Sequence, residues 1–156
     1  MPKKGSKGPQ DIRRLLGEGP PVTAATRSVM LANKGRDTGP EMVVRRALHA
    51  AGLRYVLHDR RLPGRPDIVF PGVRLVIEVR GCFWHGHICM GARVPKTRSA
   101  YWAEKISINQ ARDARNEGAL RERGWEVIVA WECEVRQHGP QSLVEAARSR
   151  LTPSTN

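Results

Sequence analysis

After residue 38 the polar and apolar positions fall into an ordered succession. Thr38-Gly39-Pro40-Glu41 reads as a helix start, with Thr38 as N-cap, Pro40 in the first turn and Glu41 at the third position. Met42, Ala47, Leu48 and Ala51 follow at roughly helical spacing, and Gly52 suits the stop. Tyr55-Val56-Leu57 is a short strand. Leu62-Pro63-Gly64-Arg65-Pro66 is a turn, Asp67-Ile68-Val69-Phe70 opens a second strand, and Pro71-Gly72 turns the chain back into Val73–Val79, an apolar run broken only by Arg74 and Glu78. Two such runs joined by Pro-Gly predict a hairpin. A loop rich in Cys, His, Gly and aromatic residues covers 81–98. Ser99 to Arg123 predicts a long helix anchored by Trp102, Ile106 and Leu120 and ended by Gly124; Trp125–Trp131 predicts a buried strand, and Gln141–Leu151 a last helix. The expected fold is a single α/β domain, a central mixed β-sheet flanked by helices.

Residues 1–26 break this pattern. They are rich in Gly, Pro and Lys, with one apolar patch at Ile12–Leu16, and predict a flexible basic arm. The domain is expected over 27–151, with a polar tail at 152–156. Lys3, Lys4 and Lys7 are not followed by an apolar stretch, so a secretory signal is not expected and the cytoplasm, at the nucleoid, is the expected compartment. No apolar run approaches the roughly 18 residues of a membrane span. The formal charge of +12 and a pI near 10.8 call for a polyanionic partner, for which nucleic acid is the usual candidate.

The three cysteines sort themselves by spacing. An odd count in a reducing compartment does not suggest a disulfide framework. Cys82, His87 and Cys89 form a C-x4-H-x-C run, and Cys133 follows the strand Trp125–Trp131. Together they make a Cys₃His set, a tetrahedral combination that zinc accepts as a closed, structural site. His85 competes with His87 for the histidine place.

The acidic residues suggest a second metal. Asp67 begins one strand of the hairpin and Glu78 lies near the end of the other, so both carboxylates reach the same end of the sheet. Hard carboxylate oxygens suit Mg²⁺, which activates water and stabilises the leaving oxygen of a phosphodiester. Glu78 is also the only charge in Val76–Val79, where a buried carboxylate is costly unless paired or metal-bound. A salt bridge from Glu78 to Arg80 or Arg74 is the competing reading.

The run Leu62–Phe70 and the segment Gly81-Cys82-Phe83-Trp84-His85-Gly86-His87-Ile88-Cys89 resemble the very-short-patch repair (Vsr) endonucleases. The similarity continues through Val94–Arg98, Tyr101–Ile106, Asn109, Gly124-Trp125 and Trp131-Glu132-Cys133, with Arg36-Asp37-Thr38 and Glu41 upstream, so that it covers about residues 27–135. The resemblance implies a restriction-endonuclease-like fold of the PD-(D/E)xK type. Asp67 would be the central ligand of two Mg²⁺ ions, helped by the backbone carbonyl of Val79. His85 would act in acid/base chemistry, supported by Glu41 through the metal-bound water shell. Cys82, His87, Cys89 and Cys133 would hold the structural zinc. Phe83, Trp84 and Trp102 would wedge into the base stack, and Lys96 and Arg98, in the matching stretch, would bind DNA. The implied substrate is duplex DNA with a T:G mismatch left by deamination of 5-methylcytosine, nicked 5′ to the thymine. The implied setting includes mismatch-repair proteins and a cognate cytosine methylase. Prying a base step apart costs a few kcal/mol and is cheaper at a mispair, so the wedge itself discriminates.

Two positions depart from the family pattern. Glu78 stands where an apolar residue is described and Arg80 where a histidine is. Glu78 restores the second acid of the generic nuclease motif and is a candidate metal ligand. Arg80 stays protonated, cannot be a general base, and is expected to stabilise charge on the phosphate. Lys3, Lys4, Lys7, Arg13 and Arg14 are expected to contact phosphate or lie in a groove of the DNA. Two other readings stand beside the leading one: a nuclease of the same fold acting on branched, flapped or general DNA, and a non-catalytic zinc-stabilised DNA-binding module. No stripe suited to a dimer appears, and a monomer is expected.

Overall fold

Strand β2 (Ile68–Phe70) is buried at every residue, because helices cover the sheet on both faces. It pairs antiparallel with β1 (Val56–Leu57) on one side and with β3 (Leu75–Arg80) on the other, and β4 (Glu126–Trp131) closes the order β1-β2-β3-β4 by running parallel to β3. The sheet is therefore mixed, as the sequence predicts. This computed structural model describes residues 35–90 and 99–152, with Ala24 and Lys96. The rest of the 1–26 arm, Arg98 and the tail beyond Thr152 lie outside the described residues.

Alternation along the strands builds two cores. Ile68, Phe70, Leu75, Ile77 and Ala130 face one way, towards Val44 and Leu48 of α1 (Gly39–Ala50), Val135 of α3 (Glu132–His138), and Val144 and Ala147 of α4 (Gln141–Leu151). Val69, Val76 and Val127 face the other way, towards Leu120 of α2 (Ser99–Glu122). The result is a helix–sheet–helix sandwich. None of the helices among the described residues is long and apolar enough to cross a membrane.

Several predicted elements shift. Helix α1 starts as expected, with Thr38 Oγ1 accepting from the Glu41 N–H at 3.4 Å. Its buried face is Glu41, Val44 and Leu48, whereas Met42 is only half-buried. The Pro-Gly turn extends into a 3-10 turn, Pro71–Val73, ended by Arg74 at φ 51°, so β3 begins at Leu75 rather than Val73. Trp102 and Ile106 are half-buried, and Leu120 alone of the three predicted anchors of α2 is fully buried. The short helix α3 was not expected. It follows β4 directly, and Cys133 sits on its first turn rather than at a strand end.

Candidate active site and metal cluster

Strand register assembles the acidic end of the sheet. Ile68 pairs with Ile77, so continuation of the ladder sets Asp67 opposite Glu78 on the face turned to α2. Arg80, two residues beyond Glu78, shares that face. Helix α2 meets it with Asn109, Asp113, Asn116 and Glu117, a row at helical spacing that leads down to the buried Leu120. Asp67, Glu78, Arg80, Asn109, Asp113 and Asn116 line one open cleft of about 1210 Å³ between the sheet end, α2 and the loop after β3.

Asp67 is the most perturbed carboxylate there. One oxygen accepts the Val79 backbone N–H at 2.8 Å. Burial, reinforced by the charges of Glu41 and Glu78, pushes its pKa up from 3.8 to about 7 against the pull of that N–H and of His85. Glu41 is itself 2 % exposed, on the first turn of α1. Its carboxylate lies 3.4 Å from Arg45 Nη1 and 3.3 Å from His58 Nε2, while His58 Nδ1 lies 3.8 Å from Asp67 Oδ1. An ionised Asp67 thus faces other carboxylates in a poorly solvated corner, an arrangement that suits a divalent cation held by oxygen. His58 was not singled out from the sequence, where an isolated histidine after a two-residue strand carries no signal.

Glu78 has a different partner. Its Oε2 accepts from Arg80 Nε at 3.1 Å and Nη2 at 2.5 Å, so the competing salt-bridge reading describes its position in this structure. Arg80 also reaches Glu117 at 3.3 Å, and Glu117 pairs with Arg121 at 2.7 Å. Arg80 is 9 % exposed, and these pairings are what make its burial tolerable.

His85 is held by Asp113 through its Nδ1. Burial works against the Asp113 carboxylate, but the His85 ring, with Arg80 and Arg112 further off, holds its pKa below the ordinary value. With Nδ1 engaged by a carboxylate, Nε2 is the ring nitrogen that could exchange a proton with a bound molecule. Asp113 lies 28 residues from His85, and no local motif announces it. The His85 loop is moulded to α2: Asn109 donates to the Trp84 carbonyl at 2.9 Å and Gln110 to the His85 carbonyl at 3.2 Å. Gly86, at φ 64°, permits this approach, since a Cβ there would come within 2.5 Å of Gln110 and 2.8 Å of Ile106.

The predicted aromatics cluster beside it. Phe83, Trp84 and Trp102 meet edge to face, with ring centroids 5.1–5.8 Å apart, and Tyr101 joins through Trp102. All three remain partly exposed, unlike a core cluster. Lys105 Nζ lies 5.9 Å from the Trp84 ring, and Arg36, Arg60, Arg65 and Arg112 add positive charge around the cleft. Those cations were hidden in the chain's general basicity. Lys96 is exposed.

The four ligating atoms of Cys82, His87, Cys89 and Cys133 lie within 4.8 Å of one another. Cys133 Sγ is 3.5 Å from His87 Nδ1. Tetrahedral bonds of about 2.3 Å to sulfur and about 2.0–2.1 Å to nitrogen would put those atoms about 3.6 Å apart. His87, and not His85, is the histidine in the cluster. It stacks on Trp131 at 4.2 Å, which makes Trp131 a wall of this site as well as a strand residue. Burial pushes the Cys82 thiol pKa up; desolvation and the sulfurs of Cys82 and Cys133 push that of Cys89 up to about 12. Such a donor set suits a soft cation.

The chain is similar to proteins of one named family. A sequence model of the family described as DNA mismatch endonuclease Vsr matches residues 22–91. A type II nicking enzyme of Xanthomonas oryzae pv. oryzae is 48% identical over 128 residues, 82% of this chain and 93% of that protein. A type II nicking enzyme of Neisseria meningitidis serogroup A is 44% identical over 115 residues, covering 73% and 82%. The DNA mismatch endonuclease Vsr of Escherichia coli is 44% identical over 124 residues, covering 79% and 78%. With that coverage, and with the Asp67 and His85 centres in one cleft, the chain belongs to the Vsr family of DNA endonucleases.

Proposed function

We propose that this protein nicks duplex DNA 5′ to the thymine of a T:G mismatch, by Mg²⁺-dependent hydrolysis of the phosphodiester bond. The observation that carries this reading is the meeting in one basic cleft of a buried carboxylate centre, a His–Asp pair and a partly exposed aromatic cluster.

Asp67 is the residue that would hold Mg²⁺, with the Val79 backbone beside it and Glu41 behind. Bound there, Mg²⁺ would supply an activated water and stabilise charge on the leaving oxygen. His85, fixed by Asp113, moves a proton at its free ring nitrogen during cleavage. Arg80 presents positive charge to the scissile phosphate, and its pairing with Glu78 and Glu117 holds the guanidinium in place for that task. Phe83, Trp84 and Trp102 enter the stack beside the mispaired thymine. The loop carrying them is fixed by α2 and by the Cys82–His87–Cys89–Cys133 cluster, which would bind zinc in a structural role. Lys96, Arg98 and the 1–26 arm contribute backbone contacts, and the enzyme works as a monomer in the cytoplasm, on lesions left at sites of a cytosine methylase.

The test is nicking of an end-labelled duplex with one T:G pair, in several sequence contexts, with Mg²⁺ or EDTA and with Asp67→Ala as control. Mg²⁺-dependent cleavage beside the thymine, absent from T:A duplex and from the variant, is the expected result. Cleavage indifferent to the mismatch would replace the proposal by a structure-specific or general nuclease. Binding to every duplex without cleavage would leave a recognition module.

A further inference from the structure

His58 occupies an unusual place. It follows β1 with its backbone in the left-handed region, φ 47°, where a non-glycine residue needs a reason to be. Its N–H donates to the Asp67 carbonyl at 3.4 Å. Its ring then folds between two carboxylates, Nδ1 3.8 Å from Asp67 Oδ1 and Nε2 3.3 Å from Glu41 Oε1. Nε2 is shielded from solvent and has no well-formed hydrogen bond, so the ring is not placed there to satisfy itself. Asp67 Oδ2 is already fixed by the Val79 N–H, which leaves Oδ1 as the oxygen against which the His58 ring lies. Glu41, behind the ring, is tied to Arg45, which is tied in turn to Asp37 at 2.6 Å. A continuous chain of contacts therefore runs from the start of α1 to the acid at the mouth of β2.

We infer that His58 is a positioning residue for the divalent-cation site: its ring links Asp67 Oδ1 to Glu41 and sets the orientation in which Asp67 receives the metal. This rests on the reading of Asp67 as the cation's ligand. Without the ring, the Asp67 carboxylate keeps one anchor, the Val79 N–H, and can swing about it. The cation then loses a preorganised ligand, and the effect falls on metal affinity rather than on DNA binding. Groups that orient a ligand in this way commonly carry about 10–100-fold in metal affinity.

The experiment measures binding of Mn²⁺ alone to the full chain, by the loss of the free-ion paramagnetic resonance signal, for the unaltered protein, Asp67→Ala, His58→Ala and His58→Asn. Mg²⁺ titrations of nicking accompany it. His58→Ala is expected to weaken Mn²⁺ binding and to raise the half-saturating Mg²⁺ by about 10-fold or more. The rate at saturating Mg²⁺, the affinity for duplex DNA and the melting temperature of the metal-free protein should stay near those of the unaltered chain. His58→Asn, whose amide reaches the place of Nδ1 beside Asp67 and whose backbone tolerates a positive φ, should recover much of the affinity. If Asp67→Ala leaves Mn²⁺ binding intact, Asp67 is not the ligand and the reading beneath this inference fails. If Asp67→Ala abolishes binding while His58→Ala leaves it unchanged or tighter, the role of His58 is overturned and Asp67 stands. Loss of affinity in parallel with melting temperature, not recovered by Asn, would also overturn it, in favour of a purely structural residue.

Discussion

Replacing Asp67 by Asn should stabilise the metal-free protein while abolishing its activity. In the folded chain burial and the neighbouring carboxylates carry the Asp67 pKa from 3.8 to about 7. The protonated carboxyl therefore contributes stability that is complete below about pH 3.8 and is lost as pH rises through about 7. The gap is about three pH units; at about 1.4 kcal/mol each, ionised Asp67 costs on the order of 4 kcal/mol, an upper bound where water and side chains relax around it. Asn carries no such cost and can still accept the Val79 N–H. Urea unfolding in EDTA should show Asp67→Asn more stable by on the order of 2–4 kcal/mol at about pH 8, with the difference shrinking to almost nothing near pH 4. Excess Mg²⁺ should then stabilise only the unaltered protein, by about 2.7 kcal/mol at a hundred times its Kd. An Asn variant less stable than the parent at pH 8 in EDTA, or a difference independent of pH, would refute the claim that Asp67 is held at a site built for a cation.

His85→Ala should slow nicking by about 10²–10⁴-fold with duplex binding little changed, and Asp113→Asn should slow it by a smaller factor, since it removes the orienting partner but leaves the ring; single-turnover rates with saturating enzyme check both. Trp84→Ala should narrow the ratio of T:G to T:A binding by about 1–3 kcal/mol, the worth of one stacked ring, which competition binding of the two duplexes measures. Cys133→Ser should lower the metal content by elemental analysis and the melting temperature together, because a closed site of this type couples metal to folding. Arg80→Ala should destabilise the protein by about 3–5 kcal/mol by stranding Glu78, since Glu117 keeps Arg121, and adding Glu78→Gln should restore part of that loss; equal stability of single and double variants in urea would show the Arg80–Glu78 pair to be idle.

The helix–strand order was legible because its signals are local: the capping sequence at Thr38, the alternation in Ile68–Phe70 and Leu75–Ile77, and the glycine stops at Gly52 and Gly124. Helix α3 was missed for an equally local reason. Glu132–His138 is a short helix that begins where β4 ends, with Trp131 as an N-cap that makes no side-chain hydrogen bond. Seven residues carry too little periodicity to separate a helical turn from a loop. Helical spacing picks out Met42 and passes over Glu41, because it ranks apolar residues only, whereas the buried face of α1 is Glu41, Val44 and Leu48.

The same distinction runs through the site. Asp67, His85, the Cys/His cluster and the aromatic segment lie on contiguous sequence, or follow it in a fixed order, so the pattern exposes them. Asp113, Glu117 and His58 act across the fold, and their identity depends on which face of α2 turns to the sheet and on the left-handed turn after β1. Glu78 shows what the pattern alone cannot decide. Register sets it opposite Asp67, where a second metal-binding acid belongs, yet the guanidinium two residues further along the same face satisfies it first. A carboxylate engaged by Arg80 on two nitrogens is a poor free ligand, because taking up a cation would strand a nearly buried arginine on Glu117 alone. On the proposed function, electrostatics would favour a division of labour, with Asp67 backed by Glu41 and His58 for a cation, and Glu78 with Glu117 holding the arginine that would meet the phosphate.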